Sequence, residues 1–486
     1  MERIRKFKNY INGNWVETVT QRTFEQRNPA QLSQITGQFQ NSSEDDVQNA
    51  IAAAQAAFPL WKALTSFQRA EQLRRVLDLI VRRKEEISTI ITLENGKILS
   101  DSVLEVESAI KEMDFQINEG LRLSGEIAPL DLNGVFAYTL KEPLGVVSII
   151  SPWNFPFNVP IRKITPALMA GNSCIFKPAS LTAQTGCFLA QMFEEADVIP
   201  GVLNMLTGSG AEVGDMMISD PRIKAISFTG STEVGMEIQK KSAANAIRTQ
   251  LEMGGKNATV ILEDADIESG VSAVARASFA CSGQWCTSTS RVIVVNKVAR
   301  EVTEKLVNAT NSIIVGNGFD NSAGMGPVCG TAQVETIMKY IECGKKEGAK
   351  LLTGGNIISG QGFEDGCFIE PTIFAEVRPE MKIAQEEIFG PVLSIITVEN
   401  LDEAIEISNN TKFGLSSSIF TNNLKHAMKF IEQTEVGLTH LNLMTSFKSP
   451  EFPFGGIKNS GVGLPEAGKT GIEFFTNSKT VYVKHI

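Results

Sequence analysis

At 486 residues the chain is longer than one hydrophobic core usually organises, so two or three domains are expected. Its 43% apolar and 21% charged residues are ordinary for a soluble protein, and no apolar run reaches the roughly 18–20 residues that cross a bilayer. A formal charge of −10 with no basic stripe argues against nucleic-acid binding, and MERIRKFKNY lacks the apolar stretch of a secretory signal, so a cytoplasmic protein is expected.

In chain order, SSEDDVQNAIAAAQAAF (42–58) has a serine cap, early acids and apolar residues at helical spacing. A second helix follows, with Leu73, Val76, Leu77, Ile80 and Val81 on one face. Between 122 and 144, Pro129 and Asn133-Gly134 separate short β-rich runs and predict a hairpin. From 145 the pattern alternates. GVVSII (145–150), SCIFK (173–177), GVLNML (201–206) and AISF (225–228) are short apolar strands separated by helical segments, which predicts a doubly wound parallel sheet. A second series, NATVIL (257–262), RVIVV (291–295) and PVLSII (391–396), predicts a second α/β domain. The tail ends in an alternating strand with no neighbour in sequence. Together with the hairpin it invites pairing across subunits.

Seven cysteines are scattered without a CxxC pair, as suits reduced thiols. His426, His440 and His485 are too far apart for a His-rich metal site or a Ser-His-Asp triad, so no metal is expected. Two Gly-rich loops, TGSGAEVG (207–214) and FTGSTEVG (228–235), each lead from a strand into a helix. Neither is a G-x-G-x-x-G fingerprint, and the second lacks the Lys-Ser/Thr of a P-loop. Both remain open between pyrophosphate cradles, which helix N-termini favour, and ordinary turns. Lys177 in FKPAS falls at the carboxyl edge of a strand, where open α/β sheets bind ligands; a solvated lysine is the alternative. Cys286, in SGQWCTSTSR, is either a buried filler thiol or a nucleophile.

SPWNFP (151–156), FKPAS (176–180), FTGSTEVG (228–235), LEMGGKN (251–257), GQWCTSTSR (283–291), EEIFGPV (386–392) and PFGGIKNSG (453–461) occur together and in order. The chain thereby resembles the aldehyde dehydrogenase superfamily over essentially its whole length. The resemblance implies a Rossmann-like NAD(P)-binding domain (1–121 and 145–252), an α/β catalytic domain (253–450) and a small β bridging element (122–144 and 468–486). It also implies a homo-oligomer, dimer or tetramer. Cys286 matches the family's nucleophile, Asn154 its side-chain oxyanion donor and Glu252 its general base. Lys177 is counted with the catalytic set and, with Glu387, matches the residues that hold the two riboses. Phe389 matches the ring beside the nicotinamide, and Gly230 and Ser231 the turn at the pyrophosphate. Ser151, Pro152, Trp153, Ser180 and Gly210 complete the expected cofactor site.

Many NAD-preferring relatives carry glutamate where this chain has Ser180. Serine brings no negative charge against a 2′-phosphate, so NADP is expected to be accepted, with the preference left open. Arg162 matches a tunnel position that is arginine in relatives acting on acid semialdehydes. It is read either as a carboxylate clamp or as a structural ion pair. Trp285 and Phe157 are expected to line the substrate site, Trp285 narrowing it. Lys448 is either a second positive charge there or a solvated surface lysine. The pattern looks most like succinate-semialdehyde or 2-oxoglutarate-semialdehyde dehydrogenases. The alternatives are an uncharged or lactaldehyde-like substrate, acyl transfer to coenzyme A, and a non-catalytic homologue.

Overall fold

The acidic run after Ser43 starts a helix as its spacing predicts. Ser43 Oγ accepts from the Asp46 N–H while the Asp46 carboxylate accepts from the Ser43 N–H at 2.7 Å, a closed capping box that opens the Glu44–Ala63 helix. The following Ser66–Arg82 helix buries Leu73, Val76, Leu77 and Ile80. Val81, expected on the same face, is exposed, because it lies one step round the helix from Ile80. These facts come from a computed structural model that describes residues 4–485; residues 1–3 and 486, the outer limits of two predicted segments, lie outside the described residues.

The predicted parallel strands form one eight-stranded sheet. Its order is Asn14–Val16, Asn9–Ile11, Leu203–Met205, Ser173–Lys177, Val146–Ile150, Ile223–Thr229, Arg248–Glu252 and Gly461–Val462. The five central strands run parallel, and the outer ones are antiparallel. From Val146–Ile150 the chain first proceeds outward one way through 173 and 203. It then returns to the other side at Ile223–Thr229, so the strand order reverses between Ile150 and Thr229. A crevice opens at the carboxyl ends of the strands on such a reversal.

The second series forms a seven-stranded sheet, ordered Lys350–Thr353, Thr372–Ala375, Val392–Val398, Thr289–Val295, Asn257–Ile261, Ser416–Phe420 and Leu438–Leu441. Only the Lys350–Thr353 edge is antiparallel. Residues 253–256 cross directly from the last parallel strand of one sheet to the Asn257–Ile261 strand of the other.

The predicted hairpin is not formed as such. Residues 126–127 meet the Val135–Pro143 strand through an isolated bridge, Ile127 to Tyr138, a Thr139-to-Glu126 backbone bond, and a bond from the Glu126 N–H to Thr139 Oγ1 at 2.7 Å. The tail supplies the real partner: Thr476–Lys484 pairs antiparallel with Val135–Pro143 in unbroken register, Thr476 opposite Pro143 to Lys484 opposite Val135. The ribbon leaves Phe136, Leu140, Tyr482 and Val483 exposed. Among the described residues no helix is long and apolar enough to cross a membrane.

Arg291 ties the second sheet to the crossing segment. Fully buried, it donates to the Lys256 carbonyl at 2.7 and 3.0 Å, to Ile407 O at 2.9 Å and to Ser408 O at 3.0 Å. The latter two belong to the last turn of the Leu401–Asn409 helix, whose negative dipole end favours a cation. Arg291→Leu withdraws all four bonds from buried carbonyls and is expected to cost about 3 kcal/mol or more of stability, read as a lowered Tm; an unchanged Tm shows that other donors replace it.

Candidate active site

The segments that leave the reversed strands form the first wall of the site. Ser151, Pro152, Trp153 and Asn154 follow Ile150; Gly230 and Ser231 follow Thr229, and Ser231 caps the Thr232–Ser242 helix by accepting from the Val234 N–H. Lys177 ends the neighbouring strand with its ammonium donating to Pro178 O at 3.3 Å, and burial lowers its pKa to about 8. Ser151 Oγ is buried without a partner among the described residues. Ser180 Oγ donates to Gly208 O at 2.9 Å. Gly210, Val234 and Lys241 line a cavity of about 400 Å³ beside this edge. Free donors, a capped helix N-terminus and an adjoining hollow suit the phosphates, riboses and base of a dinucleotide.

A cavity of about 230 Å³ lies between this wall and the second sheet, and Cys286, Asn154, Glu252, Pro152, Trp153, Gly230, Ser231, Glu387, Phe389, Trp285 and Arg162 all line it. Residues separated by more than two hundred positions in sequence thus meet in one hollow. Glu387 accepts from the Gly255 N–H at 2.8 Å, and burial raises its pKa to about 7. The approach is close: a Cβ on Gly254 would lie 2.2 Å from Glu387 Oε2, so the Met-Gly-Gly step is a packing requirement. Phe389 stands edge-on to Trp153, ring centres 5.3 Å apart, on a left-handed backbone with φ 56°. Trp285 packs on Phe155 at 5.0 Å and narrows the hollow.

The loop carrying Cys286 is strained and heavily tied down. Cys281, Ser282 and Gly283 are left-handed in succession, with φ of 51°, 56° and 68°. For the two non-glycines this costs roughly 1–2 kcal/mol each. At Gly283 a Cβ would lie 2.2 Å from Gly390 O, so only glycine fits. Offsetting bonds run from Ser282 Oγ to Gly326 O at 2.8 Å, from Cys329 N to Gln284 Oε1 at 2.8 Å, and from Asn257 Nδ2 to the carbonyls of Cys286 and Ser288, both at 2.8 Å. Cys281 is buried, its thiol 3.8 Å from Asp101 Oδ2, and burial pushes its pKa far up.

Asn154 is fixed from both sides. Its Nδ2 donates one hydrogen to Gln284 O at 3.0 Å, which leaves the second available. Its carbonyl accepts from Lys97 Nζ at 2.6 Å, and the same ammonium pairs with Glu105 at 2.7 Å, both side chains almost wholly buried. The other oxygen of Glu105 accepts from the N–H groups of Phe157 and Asn158 at 2.9 and 3.1 Å, at the start of the Asn158–Met169 helix. One buried ion pair therefore sets both the Asn154 loop and the helix that bears Arg162.

Phe157, expected at the substrate site, is instead fully buried in the core of the first sheet. Phe155 faces the cavity in its place, because the helix turn at Asn158 directs Phe157 inward. Lys177, Ser180 and Gly210 do not line the Cys286 cavity.

Beneath the cavity lies a cluster of buried charge. Glu466 bonds Lys163, accepts from Thr229 Oγ1 at 3.1 Å, and pairs with Arg162 at 3.5 Å. Arg162 also pairs with Glu112 at 3.7 Å, donates to Asn158 Oδ1 at 2.8 Å, and stands over the Phe454 ring at 4.7 Å. Burial and the neighbouring Glu466 carboxylate push Glu252 well above the usual carboxylate range. Burial, with Glu252 facing it, pushes the Cys286 thiol up to about 12, while Arg162 and Lys448 pull it down. Lys448 is half-buried and lines the cavity wall. Lys97, Glu105, Glu112, Lys163, Asn257 and Glu466 were not singled out from the sequence. The ENGK segment (94–97) was the one local signal, since a charged residue after a left-handed glycine (Gly96, φ 89°) turns back into the fold.

Residues 15–481 match the model of the aldehyde dehydrogenase family. The alpha-ketoglutaric semialdehyde dehydrogenase of Bacillus subtilis is 40% identical over 478 residues, 98% of each chain. The alpha-ketoglutarate semialdehyde dehydrogenase of Haloferax volcanii is 37% identical over 476 residues, again 98% of each. The crystal structure of Staphylococcus aureus betaine aldehyde dehydrogenase in complex with NAD+ superposes with a TM-score of 0.96 at 32% identity, covering 98% of this chain and 95% of that one. The family model, the two relatives and the superposed structure agree over nearly the whole chain: the chain belongs to the aldehyde dehydrogenase family.

Proposed function

We propose that the protein oxidises a short acid semialdehyde, of the 2-oxoglutarate semialdehyde kind, to the corresponding diacid with NAD(P). The observation that carries this reading is that two cationic side chains, Arg162 and Lys448, line the same small cavity as Cys286. Each has a long-range partner set that holds it there. An aldehyde with a distal carboxylate meets positive charge at one end and the thiol at the other. The semialdehyde dehydrogenases reported above support the same substrate class.

The Cys286 thiolate adds to the aldehyde carbon, and a charge develops on the carbonyl oxygen. The free Nδ2 hydrogen of Asn154 and the Cys286 backbone N–H are the donors for that charge, worth about 3–4 kcal/mol each when well aimed. When bound, the nicotinamide supplies the acceptor for the aldehyde hydride. Glu252 then takes a proton from the water that attacks the Cys286 thioester, and the acid leaves. A carboxylate with a raised pKa is a stronger base at working pH than an ordinary one.

Lys177 and Glu387 hold the cofactor riboses, Gly230 and Ser231 the pyrophosphate, and Gly210 lies toward the adenine end. Ser180 brings no carboxylate to that edge, which supports acceptance of NADP beside NAD. The two sheets correspond to a cofactor domain (1–121 and 145–252) and a catalytic domain (253–450), with the Val135–Pro143 and Thr476–Lys484 ribbon as the bridging element. Its exposed apolar side chains support a homo-oligomer, and the composition supports a cytoplasmic location.

Cys286→Ala is expected to abolish turnover. Glu252→Gln is expected to release reduced cofactor in a burst stoichiometric with enzyme and then stall; steady turnover removes Glu252 from the hydrolytic step. Because both Cys286 and Glu252 titrate above their ordinary values, kcat/KM for an uncharged aldehyde should rise with pH, and a flat profile contradicts the assignment. The substrate class is tested by kcat/KM for succinate semialdehyde against butyraldehyde, each with NADP and NAD. An advantage of about a hundredfold for the acid, or roughly 2.7 kcal/mol, is expected, and equal rates overturn the reading.

A further inference from the structure

Three cations and three carboxylates form the cluster under the cavity, and they are not evenly matched. Arg162 is flanked by Glu112 at 3.7 Å and Glu466 at 3.5 Å, and Lys163 is bonded to Glu466. The third carboxylate, Glu252, is held toward its neutral form by burial and by Glu466. Lys448 has no ion-pair partner among the described residues. Its ammonium donates to Asn158 Oδ1 at 3.0 Å and approaches the Phe454 ring at 5.8 Å. Asn158 Oδ1 already receives Arg162 Nη2 at 2.8 Å, so two cations converge on one amide oxygen. Of the three cations, Lys448 is the one that lines the cavity with no carboxylate paired to it among the described residues.

We infer that Lys448, rather than Arg162, forms the salt bridge to the distal carboxylate of the substrate, while Arg162, held by Glu112 and Glu466, fixes Asn158 and through it the position of the Lys448 ammonium. The inference rests on the acid-semialdehyde reading and deepens it. The Arg162 charge already faces two carboxylates, at 3.7 and 3.5 Å, and so gains less from a further anion, whereas an ammonium with no carboxylate paired to it gains a charge-assisted bond.

The same burial makes the contact sensitive to pH. Lys448 faces Arg162 from the Asn158–Met169 helix, Glu112 and Glu105 from the Leu99–Leu121 helix, and Cys286 from its loop. Burial first and Arg162 second lower its pKa to about 7, against the raising effect of Glu112, Cys286 and Glu105. The ammonium is present below that value and lost above it, so preference for an acid substrate should be greatest at low pH. The ionisations of Cys286 and Glu252 act on every aldehyde alike and cancel in a ratio of two substrates.

The test is the ratio of kcat/KM for succinate semialdehyde to that for butyraldehyde, measured across neutral pH for wild type, Lys448→Met, Lys448→Arg and Arg162→Lys. Wild type is expected to favour the acid, with a ratio that falls as pH rises. Lys448→Met should lower the ratio about tenfold or more and flatten its pH dependence. Lys448→Arg, which stays protonated, should keep the preference and also lose the pH dependence. If wild type favours the acid but Lys448→Met keeps the full ratio while Arg162→Lys loses it, Arg162 is the clamp and the inference fails with the substrate class intact. If wild type shows no preference, the substrate class itself fails and the inference with it.

Discussion

The site depends on how buried charge is balanced around Glu466. This carboxylate bonds Lys163, reaches Arg162, accepts from Thr229 at the end of a central strand and raises Glu252 across the cavity. Burial of charge is costly unless each group has partners, and here Lys163, Arg162 and Thr229 supply them to Glu466. Removing Glu466 would leave Lys163 and part of Arg162 uncompensated and allow Glu252 to ionise more easily. The cluster therefore links three properties of the cavity: its positive character, the basicity of Glu252, and the position of the helix that bears Arg162 and Asn158.

Strain is concentrated in one loop and offset by its neighbours. Left-handed residues at Cys281 and Ser282 turn the chain abruptly after the Ile267–Phe279 helix, and bonds to the Gly326 and Cys329 backbone and to the Asn257 side chain hold the turn. The same bonds keep Gln284 O against Asn154, so Cys286 and Asn154 are placed by one hydrogen-bond system. Lys97 and Glu105 complete it from the opposite side. Rigid placement of this kind is what addition to a carbonyl carbon requires.

Seven strands, four of the first sheet and three of the second, were legible because each is a short apolar run bounded by turn residues, the pattern of a strand buried on both faces; polar strands such as Arg248–Glu252 and Ser416–Phe420 carry no such signal. The cavity's central groups, Cys286, Glu252 and Asn154, were legible through motif order. The buried ion pairs were not. Lys97, Glu105, Glu112, Lys163 and Glu466 sit in stretches whose local composition is that of an ordinary solvated helix or loop, and only the tertiary fold makes them interior. Phe157 was misplaced for a related reason: motif position selects a segment but not which of two phenylalanines, 155 or 157, turns toward the hollow. The hairpin failed because Asn133-Gly134 is a strong local turn signal, whereas the partner of Val135–Pro143 lies more than three hundred residues away.

One feature of the first sheet bears on how the molecule comes to be made. The strand that ends in Glu252 receives its last neighbour from Gly461–Val462, with Leu251 opposite Val462 and Glu252 opposite Gly461, and Met253 N bonds Ser460 O at 2.8 Å. Phe454 and Glu466 come from the same late stretch. As the chain leaves the ribosome, the first sheet and the Cys286 loop are synthesised well before these residues exist. The cavity has no closed wall, and Lys163 and Arg162 have no Glu466, until residues 454–466 have been made. Dehydrogenase activity is therefore withheld from nascent chains, and any truncation before this segment removes activity while leaving most of both sheets encoded.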